Sequence, residues 1–399
     1  MLASGFSAHT HPAPSAVIRV SDVSDVADVW GVAGVAASAG VAGPAAIAGP
    51  AAAPTARDRR PTARLLHVLN GDSVVASLRA AGIVGEITLS ADVLYEGPAI
   101  PASPECWRRE RARFLAASGY EGYDECLARL TSWDHALEDF RGHDEVVLWF
   151  EHDLFDQLHL CRLLAWFAAR DTGLTDLSLV QASDYLGRMP PERLAALFAA
   201  RRPVDEAQRR LAEVAWRAFC APEPADLESL LRADTTALPH LAAALRRHLE
   251  EFPGTGDGLS RSERQALVAL AAGPLSFAAL FAAVQSQEER VFMTDLSLLR
   301  RLRDLAAGPR PLLRLDPPSG QWSSVARNPL LSLTATGRGV LAGKENWIAI
   351  RGGIDLWLGG VHLQGPRAAW QWDSESRRLR SLQPSPPPAP APSPATFEP

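Results

Sequence analysis

Lysine is almost absent from this chain of 399 residues, because Lys344 is its only lysine and arginine carries nearly all of the positive charge. A phosphate-binding loop that ends in Lys-Ser or Lys-Thr is therefore excluded, and a lysine that forms a Schiff base has a single candidate. The net charge of −6 provides no overall attraction to nucleic acid or to an anionic membrane. The composition thus disfavours two large classes of enzyme.

Cysteine is also scarce. The chain contains Cys106, Cys126, Cys161 and Cys220, and no two of them form a C-x-x-C pair. This spacing predicts neither a zinc site nor a framework of disulfide bonds. Isolated cysteines among apolar residues are usually small buried side chains, so we expect a reducing, cytoplasmic location.

Long hydrophobic runs are missing as well. No stretch reaches the roughly 18 consecutive apolar residues that a transmembrane helix requires. The segment 30–54 is rich in Ala, Gly and Val, but prolines interrupt it and aspartates precede it, whereas a signal peptide begins with basic residues. We therefore expect no membrane segment.

Two low-complexity segments flank the folded part. Residues 1–62 form a leader rich in Ala, Gly and Val, and residues 375–399 form a Pro-rich tail. Neither segment can bury enough apolar surface to offset the entropy lost on ordering. We therefore predict that both are disordered and that the folded chain runs from 63 to 374.

The folded chain is predicted to have three sections. In 63–202, strands near 65–69, 86–91, 145–150 and 177–181 alternate with helices, which favours an α/β domain with a parallel, Rossmann-like sheet covered on both faces. The apolar spacing of 203–256 is wholly helical. In 257–374, three helices precede a two-stranded hairpin with its turn at 317–320, which is the order of a winged-helix-like α+β domain. A closing hairpin is predicted to pair 357–363 with 368–373.

Three of the predicted strands end in clusters of polar residues. Ligands of open α/β sheets bind in the crevice outside the carboxyl ends of the strands, so these clusters predict a site for a small anionic or nucleotide-like molecule. Asn70-Gly71 permits the positive φ of a sharp turn, and Asp72 or Ser73 would cap the next helix. The residues that we assign to ligand binding are His67, Asn70, Gly71, Asp72, Ser73, Asp92, Glu96, Asp156 and Gln157.

Glu151-His152-Asp153 is the strongest candidate for catalysis, because three acid, base or metal-binding groups directly follow one apolar strand. His152 would be the general acid or base, and Glu151 or Asp153 would orient it or hold a metal ion. Capping of the next helix explains Asp153 or Asp156 alone, but it does not explain Glu151 and His152 as well. The sequence does not identify a cofactor. A divalent metal ion is one candidate, but no second pair of possible ligands has the spacing that is diagnostic of a metal site.

Other members of this set have simpler explanations. His67 lies within an apolar strand, where a histidine is more often part of the core than a ligand. Asp92 and Glu96 could hold a divalent ion or serve acid–base chemistry, but they are also ordinary loop acids. The Asn70-Gly71 turn fits either an anion at a helix N-terminus or a purely structural turn.

Arginines in the C-terminal section suggest an alternative function. Residues 260–351 contain 12 Lys and Arg against 7 Asp and Glu. Arg300, Arg301 and Arg303 lie on a predicted helix at 294–306, which would take the recognition position of a winged helix. The alternative is therefore a regulator that senses a ligand and binds DNA, although such a charged row is also typical of a solvated helix face.

Several segments, read in order, resemble the bacterial domain-of-unknown-function 1835 (DUF1835) family. They are LHVLNGDS at 66–73, EGP at 96–98, WFEHDLFDQL at 149–158, YLG at 185–187, HLEEFP at 248–253, GLSRSE at 258–263 and WLGGVHL at 357–363. The resemblance implies the architecture of that family, without an assigned activity or catalytic residues. Whether the chain catalyses a reaction, and its oligomeric state, stay open.

Overall fold

The computed structural model describes residues 63–316 and 328–382, together with the short strand Ile18–Arg19. The rest of the predicted leader, the turn at 317–320 and the tail beyond 382 lie outside the described residues. Among the described residues, no helix combines the length and the apolar character needed to cross a membrane.

The described elements alternate between strands and helices in the first half of the chain. The strands are β1 (Ile18–Arg19), β2 (Leu65–Leu69), β3 (Glu86–Leu89), β4 (Gly97–Pro98), β5 (Glu145–Phe150), β6 (Asp176–Gln181), β7 (Arg202–Pro203), β8 (Leu275–Ser276), β9 (Leu313–Asp316), β10 (Leu330–Leu333), β11 (Ile354–Gly359), β12 (Val361–Gly365), β13 (Trp370–Asp373) and β14 (Arg378–Ser381). The α-helices are α1 (Val75–Ala80), α2 (Pro104–Ala117), α3 (Tyr123–Glu138), α4 (Leu154–Ala168), α5 (Pro191–Ala199), α6 (Glu206–Phe219), α7 (Ala225–Leu230), α8 (Leu241–Leu249), α9 (Arg261–Ala271), α10 (Phe277–Gln285), α11 (Asp295–Ala306), α12 (Ala335–Leu341) and α13 (Trp347–Arg351).

The largest sheet is rich in parallel strands, which confirms the predicted mixed α/β class. Its strand order is β1-β3-β2-β5-β6-β7, in which β2, β3, β5 and β6 are parallel and the two edge strands are antiparallel. The chain proceeds from β2 outward to β3, and later from β5 outward to β6. The direction of strand addition therefore reverses between β2 and β5, and ligands of open α/β sheets bind at such a reversal.

The central strand β5 shows why helices cover both faces of this sheet. Every residue of β5 is buried. Val147 and Trp149 share an apolar cluster with Leu78 of α1 and Leu194 of α5. The alternate residues of β5 belong to the larger core, which α4 fills from the opposite face. Because successive side chains of a strand point to opposite faces, a fully buried strand requires packing on both sides.

The turn between β2 and α1 differs from its prediction. Helix α1 begins at Val75, and neither Asp72 nor Ser73 caps it, because its cap position is Val74 and has no side-chain cap. The Val75 N–H donates instead to Asp72 O, so a backbone turn satisfies it. Asn70 and Gly71 do not adopt the predicted positive φ.

The C-terminal section contributes three small sheets. One has the antiparallel order β8-β10-β9, one has the order β12-β11-β4, and one pairs β13 with β14. Strand β4 comes from the N-terminal half of the chain and pairs in parallel with β11, where Gly97 lies opposite Leu358. This pairing joins the two halves of the chain.

The predicted closing hairpin is wrong in its pairing. Instead of 357–363 against 368–373, the structure pairs β11 with β12, and β13 with β14. Gly359 has a φ of 65°, and a Cβ at this position would lie 2.5 Å from Phe219 O, so a tight glycine turn packs onto α6. Strand β14 also extends the ordered chain beyond the predicted boundary at 374.

Candidate functional site

The carboxyl ends of β2 and β5 lie side by side, and they bring Asn70 next to the residues that follow β5. The Asn70 Nδ2 donates a hydrogen bond to Asp156 Oδ2 at 2.7 Å. The other oxygen, Asp156 Oδ1, accepts from the Glu151 N–H at 2.7 Å. Asp156 is therefore fixed between two of the three strand ends that the sequence singles out.

The first turn of α4 holds the other polar groups in place. Asp153 is the N-cap, and its Oδ1 accepts from the Asp156 N–H at 3.2 Å. One turn later, Gln157 reaches back and its Nε2 donates to Glu151 O at 2.6 Å. Helical side chains lean toward the N-terminus, so this turn presents its polar groups to Glu151.

The loop after β6 forms a further wall of the site. The Leu186 N–H donates to Glu151 Oε1 at 2.7 Å. A Cβ on the neighbouring Gly187 would lie 3.0 Å from Ser73 Oγ, so the turn after β2 borders this loop. Asp72 and Ser73 are exposed, and Gly71 has open space around it. These three residues line the edge of the site rather than its centre.

Glu151, Asp153 and Asp156 form a compact, buried group. Their exposed fractions are 6%, 3% and 1%, and one carboxylate oxygen from each lies within 4.8 Å of the others. Burial, and then repulsion from the neighbouring carboxylates, raises the pKa of Glu151 to about 10 and raises that of Asp153 well above its usual value. Burial raises the pKa of Asp156 to about 7. Across 63–316 and 328–382, none of the three carboxylates forms an ion pair with a basic residue. The spacing of their oxygen atoms is suitable for binding a metal ion.

Four half-buried residues lie together next to Glu151 and Asp153 in the chain or in space; we call His152, Tyr185, His240 and Arg290 the mouth of the site. The His152 ring lies 5.1 Å from the Tyr185 ring and 6.0 Å from the His240 ring, between centroids. The Arg290 Nη1 donates to His152 O at 2.9 Å. The Tyr185 hydroxyl accepts from the Val291 N–H at 2.5 Å, which fixes the segment that carries Arg290.

The mouth has a positive charge on Arg290 and two neutral imidazoles. Burial, followed by the charge of Arg290, lowers the pKa of His152 to about 4 and also lowers that of His240. Both rings are therefore neutral near pH 7. The His152 Nδ1 is buried and has no hydrogen-bond partner. No carboxylate among the described residues forms an ion pair with Arg290.

The end of β3 does not join this site. Asp92 is buried, and Arg111 binds both of its carboxylate oxygens, through Nε at 2.8 Å and Nη2 at 2.7 Å. Glu96 is also buried, and it accepts from Arg300 Nη2 at 2.6 Å. Asp92 and Glu96 therefore do not join the other predicted site residues, because each has an internal arginine as its partner.

His67 is a core residue and not a ligand. Its Nε2 donates to Val84 O at 3.2 Å, and its Nδ1 accepts from Trp149 Nε1 at 3.1 Å. The ring also contacts Phe198, and burial lowers the pKa of His67 to about 4. Both ring nitrogens are thus used within the core, so the structure does not bring the His67 ring to the polar residues that follow β2 and β5.

The arginines that the DNA-binding alternative requires are bound within the protein. Arg300 pairs with Glu96, and the Nη1 of Arg301 lies 2.7 Å from Glu251 Oε2. Arg301 is only 4% exposed, and Arg303 is half-buried. Arg300 and Arg301 of helix α11 therefore face the rest of the protein, because they pair there with the buried carboxylates of Glu96 and Glu251.

Sequence reasoning missed part of the site. Tyr185 and the Leu186 N–H follow β6, so the rule that ligands bind at strand ends could have found them. His240 and Arg290 come from helical sections, and no spacing in the sequence links them to β5. Only the tertiary packing brings these two residues to His152.

Comparison with models of known protein families found no match, and comparison with curated proteins found none either. Function is therefore argued from the site alone. Its carboxylates, imidazoles and guanidinium are groups that bind charged ligands and move protons.

Proposed function

We propose that the chain binds a small anionic ligand at the mouth of the site and that it hydrolyses or transfers this ligand. The observation that carries the proposal is Arg290, a half-buried guanidinium without an ion pair in the described parts of the chain. A guanidinium binds carboxylate and phosphate groups through paired hydrogen bonds. The two imidazoles beside it, His152 and His240, offer further polar contacts to such a group.

His152 is positioned to take part in chemistry on the bound ligand. The His152 ring is half-buried at the mouth and neutral near pH 7, so it can accept a proton from the ligand or from water, or return one. The ring contacts Tyr185 and His240 rather than a neighbouring carboxylate. Among the described residues, Glu151 and Asp153 accept hydrogen bonds from backbone N–H groups and not from this ring, so in this proposal they do not orient the imidazole.

We further propose a Rossmann-like layout for 63–202 and a winged-helix-like layout for the section from 257. The parallel order β3-β2-β5-β6 with helices on both faces supports the first. The sheet β8-β10-β9 beside α9, α10 and α11 supports the second. The segments quoted above support membership of the DUF1835 family. The internal ion pairs of Arg300 and Arg301 remove the support for DNA binding by these residues.

Ligand binding can be tested by thermal-shift assays and calorimetry with inorganic phosphate, nucleotides and sugar phosphates. A ligand that prefers the native state raises the melting temperature. We expect at least one phosphate-bearing ligand to do so, and we expect Arg290→Gln to lose at least about tenfold in affinity, because a charged hydrogen-bond donor is removed. Arg193→Gln removes an exposed arginine from α5 and should bind as the wild type does.

Two results would contradict this proposal. One is a folded wild-type protein whose melting temperature does not respond to any of these ligands. The other is a ligand that Arg290→Gln binds as tightly as the wild type. Hydrolysis or transfer would then be measured on the ligand that binds, with His152→Ala as the variant expected to lose much more turnover than affinity.

A further inference from the structure

The buried carboxylates of Glu151, Asp153 and Asp156 are surrounded by groups that favour their ionised form. The Asn70 Nδ2 and the backbone N–H groups of Glu151, Asp156 and Leu186 all donate to them. An N–H group can only donate, so each of these contacts needs a lone pair on the carboxylate. The group nevertheless has no basic partner in the described chain, and buried like charges repel strongly. A positive charge bound from solution would resolve this conflict.

A second, independent observation is a buried amide oxygen without a partner, on the residue that hydrogen-bonds to the backbone oxygen of Glu151. Gln157 is fully buried, and its Oε1 accepts no hydrogen bond. The Nε2 of the same amide donates to Glu151 O at 2.6 Å, so the amide is held at the N-terminal edge of α4. The i,i+4 spacing also places Gln157 on the face of α4 that carries Asp153. Leaving the buried Gln157 Oε1 without a hydrogen bond or a bound ligand would lower the stability of the folded protein.

We propose that Glu151, Asp153 and Asp156 bind a divalent cation, with Gln157 Oε1 as a further ligand. All four donors are oxygens, which is the set that Mg²⁺, Mn²⁺ and Ca²⁺ prefer. The carboxylate oxygens lie up to 4.8 Å apart. Ligands on opposite sides of such a cation are roughly 4.0–5.2 Å apart, because the metal–oxygen distance is about 2.0–2.1 Å for Mg²⁺ and about 2.3–2.6 Å for Ca²⁺. This cation site uses none of the four mouth residues, so it does not depend on an anion at the mouth.

Shared protons are the competing explanation. A protonated Asp153 or Glu151 could donate its hydroxyl hydrogen to Gln157 Oε1, and the same groups would then be satisfied without a metal. The two explanations differ in one measurable respect, which is whether the folded chain binds a divalent cation saturably.

The test uses the full chain after removal of metal by a chelator. Mn²⁺, Mg²⁺ and Ca²⁺ would each be titrated by calorimetry, and Mn²⁺ would also be followed by electron paramagnetic resonance. We expect saturable binding of at least one cation, with a Kd between about 10⁻⁶ and 10⁻³ M. Asp153→Asn and Glu151→Gln should each weaken it by at least about tenfold, because a charged ligand is lost.

Both variants are expected to fold. Asparagine is as good an N-cap as aspartate, and glutamine keeps an oxygen that can accept from the Leu186 N–H. Without metal, Asp153→Asn should melt no lower than the wild type, since asparagine keeps the N-cap and is never charged in this buried group. Glu192→Gln removes an exposed carboxylate from α5 and should bind the cation as the wild type does. The proposal is overturned if the folded wild type shows no saturable binding at up to about 10 mM of any cation, or if the two site variants bind unchanged.

Discussion

Arg111 determines the role of Asp92. The Arg111 side chain is fully buried, binds both oxygens of Asp92, and donates from Nη1 to Glu96 O at 2.6 Å. Burial by itself would raise the pKa of Asp92, but the charge and hydrogen bonds of Arg111 outweigh it and hold that pKa below its usual value. Arg111 therefore holds the segment between β3 and β4 in place, and Asp92 has a structural role as its partner.

We expect Arg111→Met to destabilise the protein by about 3–5 kcal/mol, because Asp92 would be left as a buried charge without a partner. The double variant with Asp92→Asn should recover part of this loss, since it removes the uncompensated charge. Urea denaturation of the two single variants and the double variant measures the coupling. A loss below about 1 kcal/mol in Arg111→Met would mean that the pair behaves like an exposed ion pair.

At the scale of elements, helices α8, α9 and α11 are joined through Glu251. Its carboxylate accepts from Arg247 Nη1 and from Ser262 Oγ, both at 2.6 Å, and Arg301 Nη1 lies 2.7 Å from its other oxygen. Burial by itself would raise the pKa of Glu251, but the two arginines outweigh it and lower this pKa to about 2. The C-terminal helices are therefore held together by charge as well as by apolar packing.

We expect Glu251→Gln to cost about 3 kcal/mol at pH 7, because it leaves two buried arginines without their shared partner. The folded-state pKa lies below the usual value of 4.5, so the contribution of Glu251 is present above pH 4.5 and is lost as the pH falls toward 2. The difference between wild type and variant should therefore narrow below pH 4.5. Urea denaturation of both proteins across this pH range measures the difference in their free energies of unfolding. A difference that does not change with pH would argue against a lowered pKa of Glu251 in the folded state.

Glu250→Gln is the matched control for that experiment. Glu250 pairs with Arg261, whose side chain is 32% exposed. A pair that water reaches contributes less, so we expect this variant to cost under about 1 kcal/mol.

At the scale of the whole molecule, three histidines of the described chain are buried in the neutral form in separate parts of the core. Burial lowers the pKa of His67 to about 4, that of His159 to about 3 and that of His248 to about 4. Each takes up a proton near pH 6.5 when the chain is unfolded, but only at much lower pH when it is folded. The unfolded state therefore binds more protons in this range, and each histidine lowers the stability as the pH falls from 6.5 toward 4.

His67→Gln isolates one of these contributions, because glutamine can keep both a donor and an acceptor. Relative to the wild type, the variant should gain stability as the pH falls from 6.5 to 4, by at most ~1.4 kcal/mol per pH unit. Chemical denaturation of both proteins at several pH values measures the difference. Glu151 and Asp153 respond to pH in the opposite sense, so the comparison must be between the two proteins. A difference that is constant over this range would show that His67 is protonated in the folded state.

The sequence predicted those features that are continuous along the chain. The apolar run 145–150 and the polar residues 151–157 predict a buried strand and a strand-end site, and the structure brings Glu151, Asp153, Asp156 and Gln157 together. The alternation of elements predicts the mixed α/β class, which is confirmed. These features depend on local periodicity, which the order of residues determines directly.

The remaining features depend on which distant residues meet. The sequence contains many arginines, and nothing in their spacing identifies Arg111 as the partner of Asp92, or Arg300 as the partner of Glu96. The inward direction of α11 follows from these pairs, so it could not be predicted either. In the same way, the sequence predicted one strand across 357–363, whereas the structure divides this run between β11 and β12.

The pairing of β4 with β11 constrains how this protein is made. More than half of the chain lies between Gly97 and its partner Leu358. At a synthesis rate of about 5–20 residues per second, β11 leaves the ribosome roughly 10–50 s after β4. During that interval β4 lacks its partner strand, and unpaired strand edges promote association with other chains. The nascent N-terminal half therefore cannot pair β4 until the C-terminal section has been synthesised. Contacts between residues this far apart in the sequence also slow folding.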